Sequence, residues 1–163
     1  ITYGQMAGSI ALFGLFEDFI AATAATDKLA ADVEMQKLAK QRQEDPAGLF
    51  MGPDVLRVAY GKTEKKPVMM VRTYQVDRIN LGAALEVLPK VEELVKKSGA
   101  TVTGLIPMIS DNMDRLNVIY GFDSTTHMGE SVHSVGTSEE FQKLVVEANK
   151  TGKLMSTRIQ QSI

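Results

Sequence analysis

His127 and His133 are the only imidazoles in a chain of 163 residues that has no cysteine. Without sulfur there is no disulfide, no thiolate nucleophile and no thiolate-bound zinc or iron–sulfur centre. The two imidazoles lie six residues apart. At helical pitch that is about 600°, so they point roughly 120° away from each other. A shared metal would need i,i+4 spacing, so no metal site is expected. His133 remains a candidate for a single-imidazole role, either proton transfer or haem ligation. Arg72 and Tyr74 share strand parity with Val68 and Met70. If that parity faces an apolar enclosure, Arg72 needs a carboxylate from substrate or protein. At a sheet edge it would instead snorkel to water. Asn117 is a polar residue in an apolar run, and once buried it must be hydrogen-bonded, to a ligand or across the sheet. Arg72, Tyr74, Asn117 and His133 are therefore the candidate ligand contacts. No catalytic residue is assigned.

The remaining polar groups have structural explanations. Asp111 and Asp114 bracket a turn, where Asx capping is the default. Glu139 and Glu140 fall in the first turn of a helix, where the dipole favours them. No Gly-rich phosphate loop and no Gly-x-Ser-x-Gly elbow occur, so no cofactor is expected. The net charge is −2, and Lys65-Lys66 and Lys96-Lys97 are too small for a phosphate-backbone stripe, which argues against nucleic acid. The longest nearly uncharged stretch, Ile1–Phe16, is interrupted by Gly4, Gln5, Gly8 and Gly14, and no transmembrane segment or signal peptide is expected. The expected compartment is the cytoplasm. The first residue is not Met, so the expected opening strand and helix of the first half would lie upstream of Ile1. Nine methionines, among them Met69, Met70, Met108 and Met155 on strands, would suit an adaptable core or a small apolar ligand.

These residues need elements to hold them. Short β-rich runs around Ala7-Gly8 predict a hairpin over residues 1–16. Phe19, Ala22, Ala25 and Leu29 predict a helix within Glu17–Ala31. Asp32 predicts the N-cap of a second helix that ends at Asp45-Pro46-Ala47-Gly48. Val55–Tyr60 reads as a strand. Residues 62–67 read as a charged linker ending at Pro67, with a partial unit before it (1–61) and a complete one after it (68–163). Residues 1–61 hold 5 basic and 8 acidic side chains, and residues 62–163 hold 13 and 12. The second segment reads β-α-β-β-α-β, the ferredoxin-like order. Its strands carry apolar residues on both parities, and helices cover one face only. The other face needs a cover, and a second copy of the sheet would supply it. A shift of 106 positions supports such a copy. It lays Ile10–Phe13 on Leu116–Ile119 and Glu34-Met35-Gln36-Lys37-Leu38 on Glu140-Phe141-Gln142-Lys143-Leu144.

With these elements the chain resembles the dimeric α/β-barrel superfamily, in the tandem form of NIPSNAP-like proteins. The resemblance rests on Val68–Val76 with the Leu81–Val95 helix and Ser98-Gly99-Ala100. It rests also on Leu116–Phe122 with its bipartite helix, on Ala31–Gln36 and on Gly52–Arg57. It implies an α+β fold of tandem ferredoxin-like units whose sheets face each other in a barrel, the first unit being truncated. Relatives in that superfamily include cofactor-independent monooxygenases, haem-degrading enzymes and small isomerases. The haem-degrading members use an Asn, a Trp and a His. This chain has no Trp, and none of those roles is carried over. The expected function is a scaffold or self-associating module. The alternatives are a monooxygenase or isomerase acting on a small apolar or aromatic carboxylate, and a haem-binding protein.

Overall fold

The computed structural model describes residues 1–4, 6–49 and 51–162. They form two compact units: Ile1–Ile10 with Pro53–Ile163, and Ala11–Gly52.

The larger unit is built on one five-stranded antiparallel sheet. Its strands are β1 (Val55–Tyr60), β2 (Val68–Gln75), β3 (Thr101–Ile109), β4 (Arg115–Phe122) and β5 (Lys153–Gln161), in the spatial order β1-β3-β4-β2-β5. The last four strands have the ferredoxin-like arrangement, and β1 extends the sheet along β3. Successive side chains alternate between faces. Val68, Met70, Val102, Ile106, Leu116, Val118, Tyr120 and Phe122 therefore share one face, which helices cover.

Four helices complete this unit: α3 (Leu81–Glu86), α4 (Leu88–Lys96), α5 (Thr125–Ser134) and α6 (Glu139–Ala148). Pro89 lies inside the Leu81–Val95 stripe, where a proline predicts a kink or a loosened turn, and the helix is divided there. Pro89 stands at the start of α4, where its missing N–H costs nothing, and α3 stops one turn earlier. Leu88, Val91 and Val95 bury the i, i+3, i+7 stripe of α4. Pro107 lies beyond the β3–β4 ladder, which ends at Leu105, so its missing donor interrupts no pairing there.

Two expectations need correction. Residues 1–16 form no hairpin among the described residues. Thr2 and Tyr3 instead lie along β5, where the Thr2 N–H donates to the Ile159 carbonyl (2.8 Å) and Tyr3 makes an isolated bridge with Ile159. A two-stranded hairpin without a covered face is marginal, and an open sheet edge offers better pairing. The segment 62–67 also does not separate compact units, because β1 before it and β2 after it belong to the same sheet. It is tied down where Thr103 Oγ1 donates to the Lys62 carbonyl at 2.6 Å and where Lys66 pairs with Asp123 at 2.9 Å.

The smaller unit holds two helices, α1 (Phe19–Ala31) and α2 (Val33–Glu44). Asp18 caps α1 through the Ala21 N–H, and Asp32 caps α2 through the Met35 N–H. Neither helix buries a residue. Under the 106-residue shift α1 begins where α5 begins and α2 where α6 begins. The caps Asp18 and Asp32 fall on the caps Ser124 and Ser138. Even a side-chain bond repeats. Gln36 Nε2 donates to the Ala30 carbonyl (2.9 Å), and Gln142 Nε2 donates to the Gly136 carbonyl (2.7 Å).

Candidate functional site

Arg72 and Tyr74 project to the helix-covered side of the sheet. The Arg72 guanidinium carbon lies 5.6 Å from the Tyr120 ring centroid and 5.9 Å from that of Phe141 on α6. An arginine on an apolar face is thus accommodated by two aromatic rings instead of a carboxylate. Burial pushes the Tyr120 phenol above its ordinary value, with Tyr74 adding to the rise and Arg72 opposing it. Tyr120 stays protonated, a donor and not a base.

Beside these rings runs a crevice of about 40 Å³ between sheet and helices, lined by Tyr74, Leu88, Val91, Tyr120, Ala148 and Gly152 among others. That is room for a few water-sized groups. Its lining contains no carboxylate and no imidazole among the described residues. The crevice can accept a small apolar group and offer it two phenols, but it holds no general base of ordinary pKa.

Asn117 and His133 lie elsewhere. Asn117 pairs across the sheet with Thr73, on the face opposite the helices, and its Oδ1 accepts from Thr73 Oγ1 at 2.9 Å. It is 5% exposed, and this cross-strand partner is what it needed. His133 is exposed in the last turn of α5. The four candidate residues therefore do not converge. The period-2 alternation of strands puts Arg72 and Asn117 on opposite faces, and His133 is on no strand at all.

His127 is a fastener. Its Nδ1 accepts the Asp123 N–H at 3.2 Å, so its Nε2–H donates to the Ser98 carbonyl at 2.6 Å. Its ring meets Phe122 edge-on at 5.7 Å. Asp123, His127, Ser98 and Ser131 supply the residue types of a hydrolytic triad, and Ser98 Oγ and Ser131 Oγ are 2.6 Å apart. The imidazole is committed to a backbone carbonyl, however, and neither hydroxyl has a base. Both ring nitrogens of His127 are occupied and His133 is not among the described residues lining this crevice, so the crevice has no imidazole to offer a haem. No group of three His, Asp or Glu side chains arranged for a metal occurs among the described residues.

Sequence reasoning passed over two features. The Tyr60 hydroxyl donates to Glu92 on α4. Burial first, then this bond and the charge of Glu92, raise its pKa to about 12. On the face opposite α3–α6, Arg115 Nη2 donates to Asp54 Oδ2 (2.7 Å) and to Ser110 Oγ (3.0 Å), with Arg158 and Gln160 on the same face. Parity could have placed these three together, since Arg115, Arg158 and Gln160 pair with Gln75, Val71 and Met69.

No family model and no curated protein matches the sequence. Solved structures do match the fold. A NIPSNAP domain protein of Burkholderia xenovorans, itself uncharacterized, is similar over 59% of this chain and 94% of its own, at 9% identity and a TM-score of 0.50. An Agrobacterium tumefaciens protein is similar over 59% and 93%, at 14% identity and 0.50. A Fusobacterium nucleatum protein named as a candidate monooxygenase is similar over 90% and 69%, at 11% identity and 0.51. The chain thus has the ferredoxin-like α+β fold seen in a NIPSNAP domain protein. No helix is long and apolar enough to cross a membrane among the described residues.

Proposed function

We propose that the chain is a self-associating α/β scaffold: a ferredoxin-like unit plus a half-formed copy of that unit, both closed by a second ferredoxin-like layer in a barrel-like arrangement. One observation carries this reading. Ala11–Gly52 repeats the α5–α6 region down to its caps and its Gln-to-carbonyl bond, yet leaves its large apolar side chains in water. Leu12 is 87% exposed, Ile20 78% and Leu38 57%, and Phe13, Phe16 and Val33 also exceed half. Soluble monomers rarely present contiguous patches beyond a few hundred Å². Ile10–Phe16, which stands where β4 stands in the repeat, has no strand partner among the described residues. The Fusobacterium nucleatum structure supports the reading, because its 90% match must extend well before Val68. Sedimentation velocity across a concentration series tests it. The expected result is a mass at or above twice 17.8 kDa that grows with concentration. A 17.8 kDa monomer at every concentration overturns the reading.

The crevice supports a second reading, in which a small apolar or aromatic molecule binds between sheet and helices and Tyr74 and Tyr120 act as its polar contacts. Its test is a titration with indole followed by methyl NMR. Shifts at Val91 and Ala148 that weaken in Tyr74→Phe are expected. Unshifted methyls, or a Tyr74→Phe titration equal to the wild type, remove this reading.

A further inference from the structure

The face of the sheet opposite α3–α6 carries a cation with no carboxylate of its own. Arg158 and Arg115 project onto it from β5 and β4, on the side of Val71 and Gln75. Asp54 is the carboxylate beside them, and Arg115 takes it at 2.7 Å. The Arg158 side chain feels Asp54 only through its charge, and its Nε is buried without a hydrogen-bond partner. Two residues along the same strand, Gln160 is 4% exposed, with both its amide oxygen and its amide nitrogen buried and unbonded. Groups of this kind are ordinarily satisfied, so four unmet polar atoms on one face, counting the buried Nε of Arg115, describe an unfilled demand. That demand has a definite chemistry. A guanidinium presents a planar fork of donors and no acceptor, and a primary amide adds two more donors and one acceptor. Two guanidiniums facing one carboxylate leave a surplus of one positive charge. Burial first and then the neighbouring Arg115 lower the Arg158 pKa, and the charge of Asp54 only partly opposes them.

We infer that Arg158 and Gln160, backed by Arg115, form a receptor for a carboxylate on the face of the sheet opposite α3–α6, bound in bidentate fashion by the Arg158 fork. The β5 edge next to it is covered by residues 2–4, and Gly4 allows their close approach. At φ +100°, Gly4 lies so close to β5 that a Cβ there would stand 2.7 Å from the Thr157 carbonyl oxygen and 3.2 Å from Arg158 Cα. This close approach fixes the backbone from which Arg158 projects. The carboxylate is either a free small molecule or a side chain of a second copy laid on this face. The receptor's side chains belong to one copy, so the free-carboxylate arm is independent of the proposed association, and the second-copy arm rests on it.

Acetate and Arg158→Gln distinguish these cases. Sodium acetate is titrated against sodium chloride at equal ionic strength, and the Arg158 Nε–H resonance is followed. A saturable shift with acetate only, with affinity at least tenfold weaker in Arg158→Gln as read from backbone amides of Ile159 and Gln160, supports a free carboxylate. No acetate response, together with an at least tenfold weaker self-association of Arg158→Gln by sedimentation, supports a carboxylate from the second copy. An acetate response equal in wild type and variant overturns the inference. So does the absence of both effects. If Arg158→Gln does not fold, Arg158→Lys takes its place. It keeps the charge and loses the fork, and an effect of at least threefold is expected in the same two measurements. Wild-type behaviour of that variant overturns the receptor.

Discussion

Phe141 on α6 and Met35 on α2 occupy the same place in the 106-residue repeat. Each follows a side-chain cap that accepts its own backbone N–H, and each precedes a glutamine that bonds six residues back. Phe141 is nevertheless 7% exposed and Met35 41%. The local code is the same in the two units, and the surroundings are opposite. Caps and helix formers determine where a helix starts. Whether its apolar stripe is worth anything depends on a second layer, because most helical stability in proteins comes from tertiary packing.

The sharpest way to break this comparison is to shorten the two side chains. Phe141→Ala empties a site against the sheet and strips Arg72 of one aromatic ring. A loss of about 3–5 kcal/mol in urea unfolding is expected. Met35→Ala in dilute solution is expected to stay within about 0.5 kcal/mol. A Met35→Ala loss of the larger size would mean that the α1–α2 pair is already covered in solution. At high protein concentration the same variant is expected to weaken association.

A smaller contrast uses two glycines. Gly61 has φ +71°, and a Cβ there would stand 2.3 Å from the Val102 carbonyl oxygen, where the chain leaves β1 for β2. Gly61→Ala combines left-handed strain with a backbone clash, and about 2 kcal/mol or more of destabilisation is expected. Gly48, in the smaller unit, has ordinary φ and nothing within 4 Å of an added Cβ. Gly48→Ala is expected to be neutral or to stabilise by up to about 1 kcal/mol, because it mainly restricts the unfolded chain. Thermal unfolding of the two variants reads both signs.

These contrasts also explain how much was legible in the sequence. Asp32 and Ser138 announce their helices because the cap bond spans three residues and needs no distant partner. The β-α-β-β-α-β order and the break near Pro89 are equally local signals. The hairpin over residues 1–16 could not be judged that way. Its residues favour strands, but a strand exists only where another chain segment meets it, and here Tyr3 found the edge of β5. The candidate site failed for a related reason. Parity correctly joined Arg72 to Tyr74. Asn117 lies on another strand, and only the Thr73–Asn117 register shows that it faces the other way. Parity likewise joins Arg158 to Gln160, and the registers of β4 and β5 against β2 add Arg115 to them.

The smallest expected effect concerns pH and again separates the units. Burial pushes the Asp54 carboxyl up, but the Arg115 and Ser110 hydrogen bonds and the charges of Arg115 and Arg158 outweigh it and hold the group below its ordinary 3.8. A carboxyl depressed in the folded state adds stability above its unfolded pKa, and that stability disappears as pH falls through the folded pKa. Between pH 5 and pH 3 the wild type should therefore lose more urea stability than Asp54→Asn. Its side chain is 39% exposed, so screening keeps the difference under about 1 kcal/mol, and 1 M salt should shrink it further. In α2 the pairs Lys37–Glu34 and Lys40–Glu44 are exposed on both partners. At pH 7 Glu34→Gln is expected to change urea stability by less than about 0.5 kcal/mol, because an exposed pair is screened. A larger loss at pH 7 in Glu34→Gln than in Asp54→Asn would reverse the comparison and place the stronger ion pair in the helical unit and not on the sheet.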